Sequence, residues 1–86
     1  MKISVELTLT PLKDDFIPAI KHFIKQLKTS GFTVLENPLS TQIYGDYDTL
    51  FPFLTDQIKA VFDAEESVIL MMKIVKGDRS HYVSDL

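Results

Sequence analysis

An α+β fold is predicted for this chain: strand–helix–strand–strand–helix–strand, with one four-stranded antiparallel sheet carrying two helices on one face. Three observations predict it. Ile3, Val5, Leu7 and Leu9 alternate with Ser4, Glu6, Thr8 and Thr10, the period of a strand set between an apolar layer and a polar one. Two later segments repeat apolar residues every three or four positions, as helices that bury one face do. Displacing the chain by 34 residues (48 − 14) sets Asp14 on Asp48, Pro18 on Pro52, Ile20 on Leu54, Ile24 on Ile58 and Lys25 on Lys59, an echo that suggests two similar halves.

The elements follow in order. After the first strand, Phe16, Ile17, Ile20, Phe23, Ile24 and Leu27 mark a helix over Asp15 to Ser30. Asp14 or Asp15 is expected to cap it, Pro18 falls early enough to lose little hydrogen bonding, and Gly31 supplies a left-handed stop. Phe32 to Asn37 reads as a short strand, Pro38 and Leu39 as a connection, and Ser40 to Asp46 as a third strand, forming a hairpin. Gly45 is expected to allow a bend or bulge before the next helix. That helix runs through Leu50, Phe51, Leu54, Ile58, Val61 and Phe62, capped by Asp48 or Thr49 and carrying Pro52 near its start. Ser67 to Val75 is a β-rich run with apolar residues on both faces, interrupted only by Lys73, and Gly77 is expected to turn the chain into a tail.

Right-handed crossovers in both halves interleave these strands into the ferredoxin-like βαββαβ arrangement. The first and third strands become central neighbours, so Glu6, Thr8, Gln42 and Tyr44 are expected on the helix-free face. Val5, Leu7, Phe23, Leu27, Ile43, Ile58, Phe62 and Leu70 are expected in one core. The domain is read as 1–78 and the polar C-terminal tail as 79–86.

Composition narrows the function. Eighty-six residues form one small domain that buries about 60–65% of its unfolded surface, so self-association would help its stability. A net charge of −3 with one arginine disfavours nucleic acid, which requires clustered basic groups; Lys21, Lys25 and Lys28 read as the wet stripe of a helix. No apolar run approaches the roughly 20 residues of a membrane span, and no signal-peptide pattern is seen. The absence of cysteine leaves no disulfide framework or thiolate site and suits a cytoplasmic location. His22 and His81 are isolated, and Asp46, Asp48, Asp56 and Asp63 read as turn, cap and surface groups without calcium-loop spacing, so neither metal nor cofactor is expected. No nucleophile–base pair or phosphate loop appears, so an enzyme is not expected.

The run Ile3-Ser4-Val5-Glu6-Leu7-Thr8-Leu9-Thr10-Pro11-Leu12, the central Asn37-Pro38-Leu39-Ser40-Thr41-Gln42-Ile43-Tyr44-Gly45-Asp46-Tyr47-Asp48 and the closing Met72-Lys73-Ile74 resemble the thiamine-binding, YkoF-like protein family. The similarity spans nearly the whole chain, and its most specific part is the Ser40–Tyr47 run. The resemblance implies a ferredoxin-like fold, assembly into homodimers or homotetramers, and non-catalytic binding of thiamine or its hydroxymethylpyrimidine part.

The residues can be weighed against that ligand. A cation with a flat aminopyrimidine wants a carboxylate or amide at its amino edge, an aromatic face and little positive charge; Glu6, Gln42 and Tyr44 offer these in kind. Thr8, Ser40 and Thr41 add hydroxyls, though hydroxyls near a hairpin also serve as turn formers. Glu6 either recognises ligand or is neutralised by Lys73 across the strands. The competing function is an oligomeric structural or regulatory module with no small ligand, using the same sheet face; Ile69, Met71 and Val75 would lie there. Either reading expects self-association.

Overall fold

The computed structural model describes residues 1–86, and its elements are β1 (Lys2–Pro11), α1 (Ile17–Lys28), β2 (Thr33–Glu36), β3 (Thr41–Asp46), α2 (Tyr47–Ala64) and β4 (Val68–Lys76). The strands form one antiparallel sheet in the order β2-β3-β1-β4. This is the ferredoxin-like arrangement, with β1 and β3 at its centre. No helix is long and apolar enough to cross a membrane.

The alternation in β1 does what its chemistry requires. Ile3, Val5, Leu7 and Leu9 are buried with Ile43 of β3, Phe23 and Leu27 of α1, and Leu50 and Leu54 of α2. Directly opposed residues of antiparallel strands share a face, and Glu6 lies opposite both Gln42 and Lys73, while Ser4 lies opposite Tyr44 and Val75. The helix-free face therefore carries Glu6, Thr8, Gln42 and Tyr44, with Ile69, Met71 and Val75 on β4 and Leu35 on β2.

Five details differ from expectation. Phe62 is 49% exposed, because α2 leaves the core along its length: Leu50 and Leu54 are fully buried, whereas Ile58 and Val61 only pack against the core from its margin. Ile58 and Leu70 are accordingly half-buried rather than central. Neither Asp14 nor Asp15 caps α1, whose N-cap is Phe16 without a side-chain hydrogen bond; Pro18 in the first turn has no N–H to be capped. Helix α2 starts at Tyr47, ahead of the expected caps Asp48 and Thr49. There the Tyr47 N–H donates to the Met1 carbonyl at 2.9 Å, and the Asp46 carboxylate receives Lys2 Nζ at 3.3 Å, so strand passes into helix without a loop. Finally, no bulge occurs at Gly45, since the β1–β3 register runs unbroken from Lys2↔Asp46 to Leu7↔Thr41. Gly31 and Gly77 do take the left-handed conformation, with φ of 90° and 105°, ending α1 and β4 as expected.

Candidate functional site

The β2–β3 connection is organised by one side chain. Asn37 Oδ1 accepts hydrogen bonds from the amides of Leu39 at 2.8 Å and Ser40 at 3.0 Å, and the Asn37 N–H donates to the Ser40 carbonyl at 3.0 Å. This Asx turn fixes where β3 begins. It delivers Ser40 and Thr41 to opposite sides of the sheet, because successive strand residues alternate.

Ser40 is tied to the helix-free face. Its hydroxyl donates to Glu6 Oε2 at 3.0 Å and accepts from Gln42 Nε2 at 2.7 Å. Lys73 Nζ stands 3.7 Å from Glu6 Oε1, so both carboxylate oxygens have partners. With side chains 72% and 44% exposed, that ion pair is worth at most about 1 kcal/mol; it offsets the Glu6 charge more than it stabilises the fold. Thr41, 5% exposed, turns inward beside Leu7, its partner in register.

Two recesses result. The first has a cavity volume of about 180 Å³ and lies at the end of the sheet, between α1 and the β2–β3 connection. Leu7, Leu9, Ile20, Phe23 and Ile24 give it apolar walls, and Thr8, Asn37, Ser40 and Thr41 supply polar groups, with no charged residue in the lining. The second, about 150 Å³, is a shallower recess on the helix-free face, formed by Ser4, Val5, Glu6, Gln42, Tyr44, Lys73, Val75 and Arg79. The six residues anticipated for one site are thus divided: Thr8, Ser40 and Thr41 line the end cavity, whereas Glu6, Gln42 and Tyr44 line the face recess. Ser40 joins the two groups through its hydrogen bonds. Thr8 also borders Glu6, Met71, Met72 and Lys73 in a small hollow on β4.

Sequence reasoning missed Asn37 as the organiser of the turn, although an Asn-Pro pair between two strands signals one. It also missed Ser4 and Arg79. The Ser4 hydroxyl, in a residue 7% exposed, donates to the Gly77 carbonyl at 2.7 Å and accepts from the Arg79 amide at 2.9 Å. The first residue of the expected tail is therefore pinned to the sheet. No local signal announces a contact between positions 75 apart.

Burial raises the Tyr44 phenol above the ordinary tyrosine value, and the Asp78 and Glu6 carboxylates raise it further. Asp78 is itself held below the ordinary carboxylate value, chiefly by hydrogen bonds from the Ser80 side chain and backbone. A raised folded-state pKa favours the neutral phenol; its contribution is complete below the unfolded tyrosine value and is lost as pH rises through the folded one. Ultraviolet titration of the three tyrosines is expected to show one ionising later than the others, and Tyr44→Phe should remove that late component. A late component that survives the substitution would contradict this electrostatic environment.

The comparisons with known proteins agree with this architecture. A solved structure from Streptococcus pneumoniae is 29% identical, with a TM-score of 0.82, covering 91% of this chain and 89% of that one. A Thermotoga maritima protein provisionally assigned to thiamine biosynthesis or salvage is 16% identical, with a TM-score of 0.78 over 86% of this chain and 82% of that one. A domain of unknown function from Bacillus cereus is 22% identical, with a TM-score of 0.72 over 99% and 84%. None of the curated proteins matches the chain. The profile of the YKOF-related family matches residues 2–77, which takes in every strand and both helices: the chain belongs to the YkoF-related family.

Proposed function

We propose that this protein binds thiamine or its hydroxymethylpyrimidine part without catalysis, and that the pyrimidine ring enters the end cavity. The observation that carries the reading is the cavity's composition: apolar walls on both sides of a small set of hydroxyl and amide groups, free of charge. A flat ring with a hydrogen-bonding edge matches such a lining. No lysine or arginine in the lining opposes a cation. At about 180 Å³ the cavity is smaller than the roughly 300–1,000 Å³ that takes a drug-sized ligand, so it suits one ring and leaves the thiazolium of thiamine outside.

Thr41 is the contacting hydroxyl in this reading, with Asn37 at the turn beside it, and Ser40 and Thr8 border the cavity from the helix-free side. Glu6 and Gln42 act through Ser40, whose hydroxyl they hold from both sides. The thiamine-related assignment of the Thermotoga structural relative and membership of the family support the ligand class. Calorimetry with thiamine and with hydroxymethylpyrimidine is expected to give saturable binding. Thr41→Val, which keeps the shape and removes the hydroxyl, should weaken it by about 1–2 kcal/mol, or roughly 5- to 30-fold. Absence of heat with both ligands would overturn the proposal.

A second reading rests on a different observation. Leu35, Ile69 and Met71 leave 45%, 48% and 66% of their surface exposed on the helix-free side. A self-associating interaction module would cover such residues. The two readings are compatible, since the end cavity lies at one end of the sheet and not at the centre of its open face.

A further inference from the structure

Helix α1 is strongly basic in an acidic chain. Over Ile17–Lys28 it carries Lys21, Lys25 and Lys28 and no aspartate or glutamate, although the whole chain has 12 acidic residues and a net charge of −3. Lys21 and Lys25 are four positions apart, and Lys25 and Lys28 three, so the ammonium groups share one side of the helix, where like charges at these spacings repel. The stripe therefore costs stability. Lys28 is relieved by an ion pair with Glu36 of β2, whereas Lys21 and Lys25 have no carboxylate partner.

The stripe stands beside the end cavity. Lys21, Ile24, Lys25, Lys28, Thr29 and Glu36 form an open recess of about 370 Å³, and Ile24 belongs to both, since it is also one of the apolar walls of the end cavity. Along the helix, Lys21 precedes Ile24 by three positions and Lys28 follows it by four, the spacings at which side chains are neighbours on one face. One side chain thus separates an uncharged cavity sized for a single ring from two ammonium groups without a carboxylate partner. A substituent leaving the cavity over Ile24 enters a positive field.

We propose that the occupant of the end cavity is a phosphate monoester, its pyrimidine ring between α1 and the Asn37 turn and the phosphate on its hydroxymethyl arm received by Lys21 and Lys25 beyond Ile24; this rests on the reading of the end cavity given above. Phosphate is the anion that fits. A monoester carries a charge of about −1.5 to −2 at pH 7, so it offsets two ammonium groups at once, which a carboxylate does not. Lysine binds phosphate as a point charge on a flexible stem, as suits side chains exposed to solvent. The same lysines oppose the thiazolium cation of thiamine on this side, so an arm bearing phosphate is preferred there to an arm bearing thiazolium.

Calorimetry at low ionic strength with hydroxymethylpyrimidine and with its phosphate ester tests this. Exposed ion pairs are individually weak, so the ester is expected to bind about tenfold more tightly than the alcohol, an advantage that should shrink as added salt screens it. Lys21→Gln combined with Lys25→Gln should bring the two dissociation constants together. Glu36→Gln, which frees Lys28, should instead widen the gap. Equal binding of ester and alcohol by the natural chain would overturn the phosphate assignment and leave the cavity reading standing, whereas no heat from either, or from thiamine, would overturn the cavity reading itself. An ester advantage that survives the double lysine substitution would overturn the placement of the phosphate beside α1.

Discussion

Ile43→Ala is expected to lower the folding stability by about 2–5 kcal/mol, the range for truncating a large aliphatic side chain in a core that cannot fully collapse. Ile43 is fully buried at the centre of the sheet, opposite Val5 on one side and Val34 on the other. Little can move to fill the space. A domain of this size has roughly 4–13 kcal/mol in total, so the loss removes a large share of it. Each kcal/mol corresponds to about 4–8 °C in Tm at this length. Urea unfolding of Ile43→Ala beside Phe62→Ala tests the assignment: the exposed Phe62 should cost far less, and equal losses would mean that the core has been misplaced.

Gly45→Ala should destabilise by about 1–3 kcal/mol, the cost of overpacking. A Cβ there would stand 2.7 Å from Cδ1 and 3.0 Å from Cε1 of Phe32, and 3.6 Å from Leu50 Cβ. Phe32 has limited room to retreat, since its ring packs against Phe53 with centroids 5.5 Å apart. Close approach, not backbone flexibility, explains the glycine. Combining Gly45→Ala with Phe32→Leu should cost less than the sum of the two changes, because the smaller side chain vacates the contested space. Strict additivity in thermal or urea unfolding would show that the contact with Phe32 is not the cause.

Much of this was legible along the chain. The alternation of β1 required a two-faced sheet, the apolar periods required two helices, and crossover handedness then left one simple interleaving of four strands. The placement of Glu6, Gln42 and Tyr44 together on the helix-free face follows from that topology. So does the meeting of Glu6 with Lys73, which register alone makes neighbours.

The site was legible only in parts. Ser40 and Thr41 are adjacent in sequence and read as one set of hydroxyls, yet strand alternation sends one towards Glu6 and the other into the core side. The end cavity depends on Ile20, Phe23 and Ile24 of α1 meeting the Asn37 turn, a distance in space that no local pattern encodes. Phe62 obeyed the helical period and still emerged into solvent, because period specifies which side of a helix is apolar and not how far along its length the sheet continues beneath it.

Local sequence by itself determined the element order, the two faces of the sheet and most of the residues at its centre, because hydrophobic periodicity and turn chemistry act over a few residues. Tertiary structure alone decided which hydroxyl faces which recess, what Gly45 is for and how Ser4 holds Arg79. Those outcomes rest on side-chain packing and hydrogen bonding between positions far apart in the chain, where the geometry of the assembled layers, and not any local preference, sets the distances.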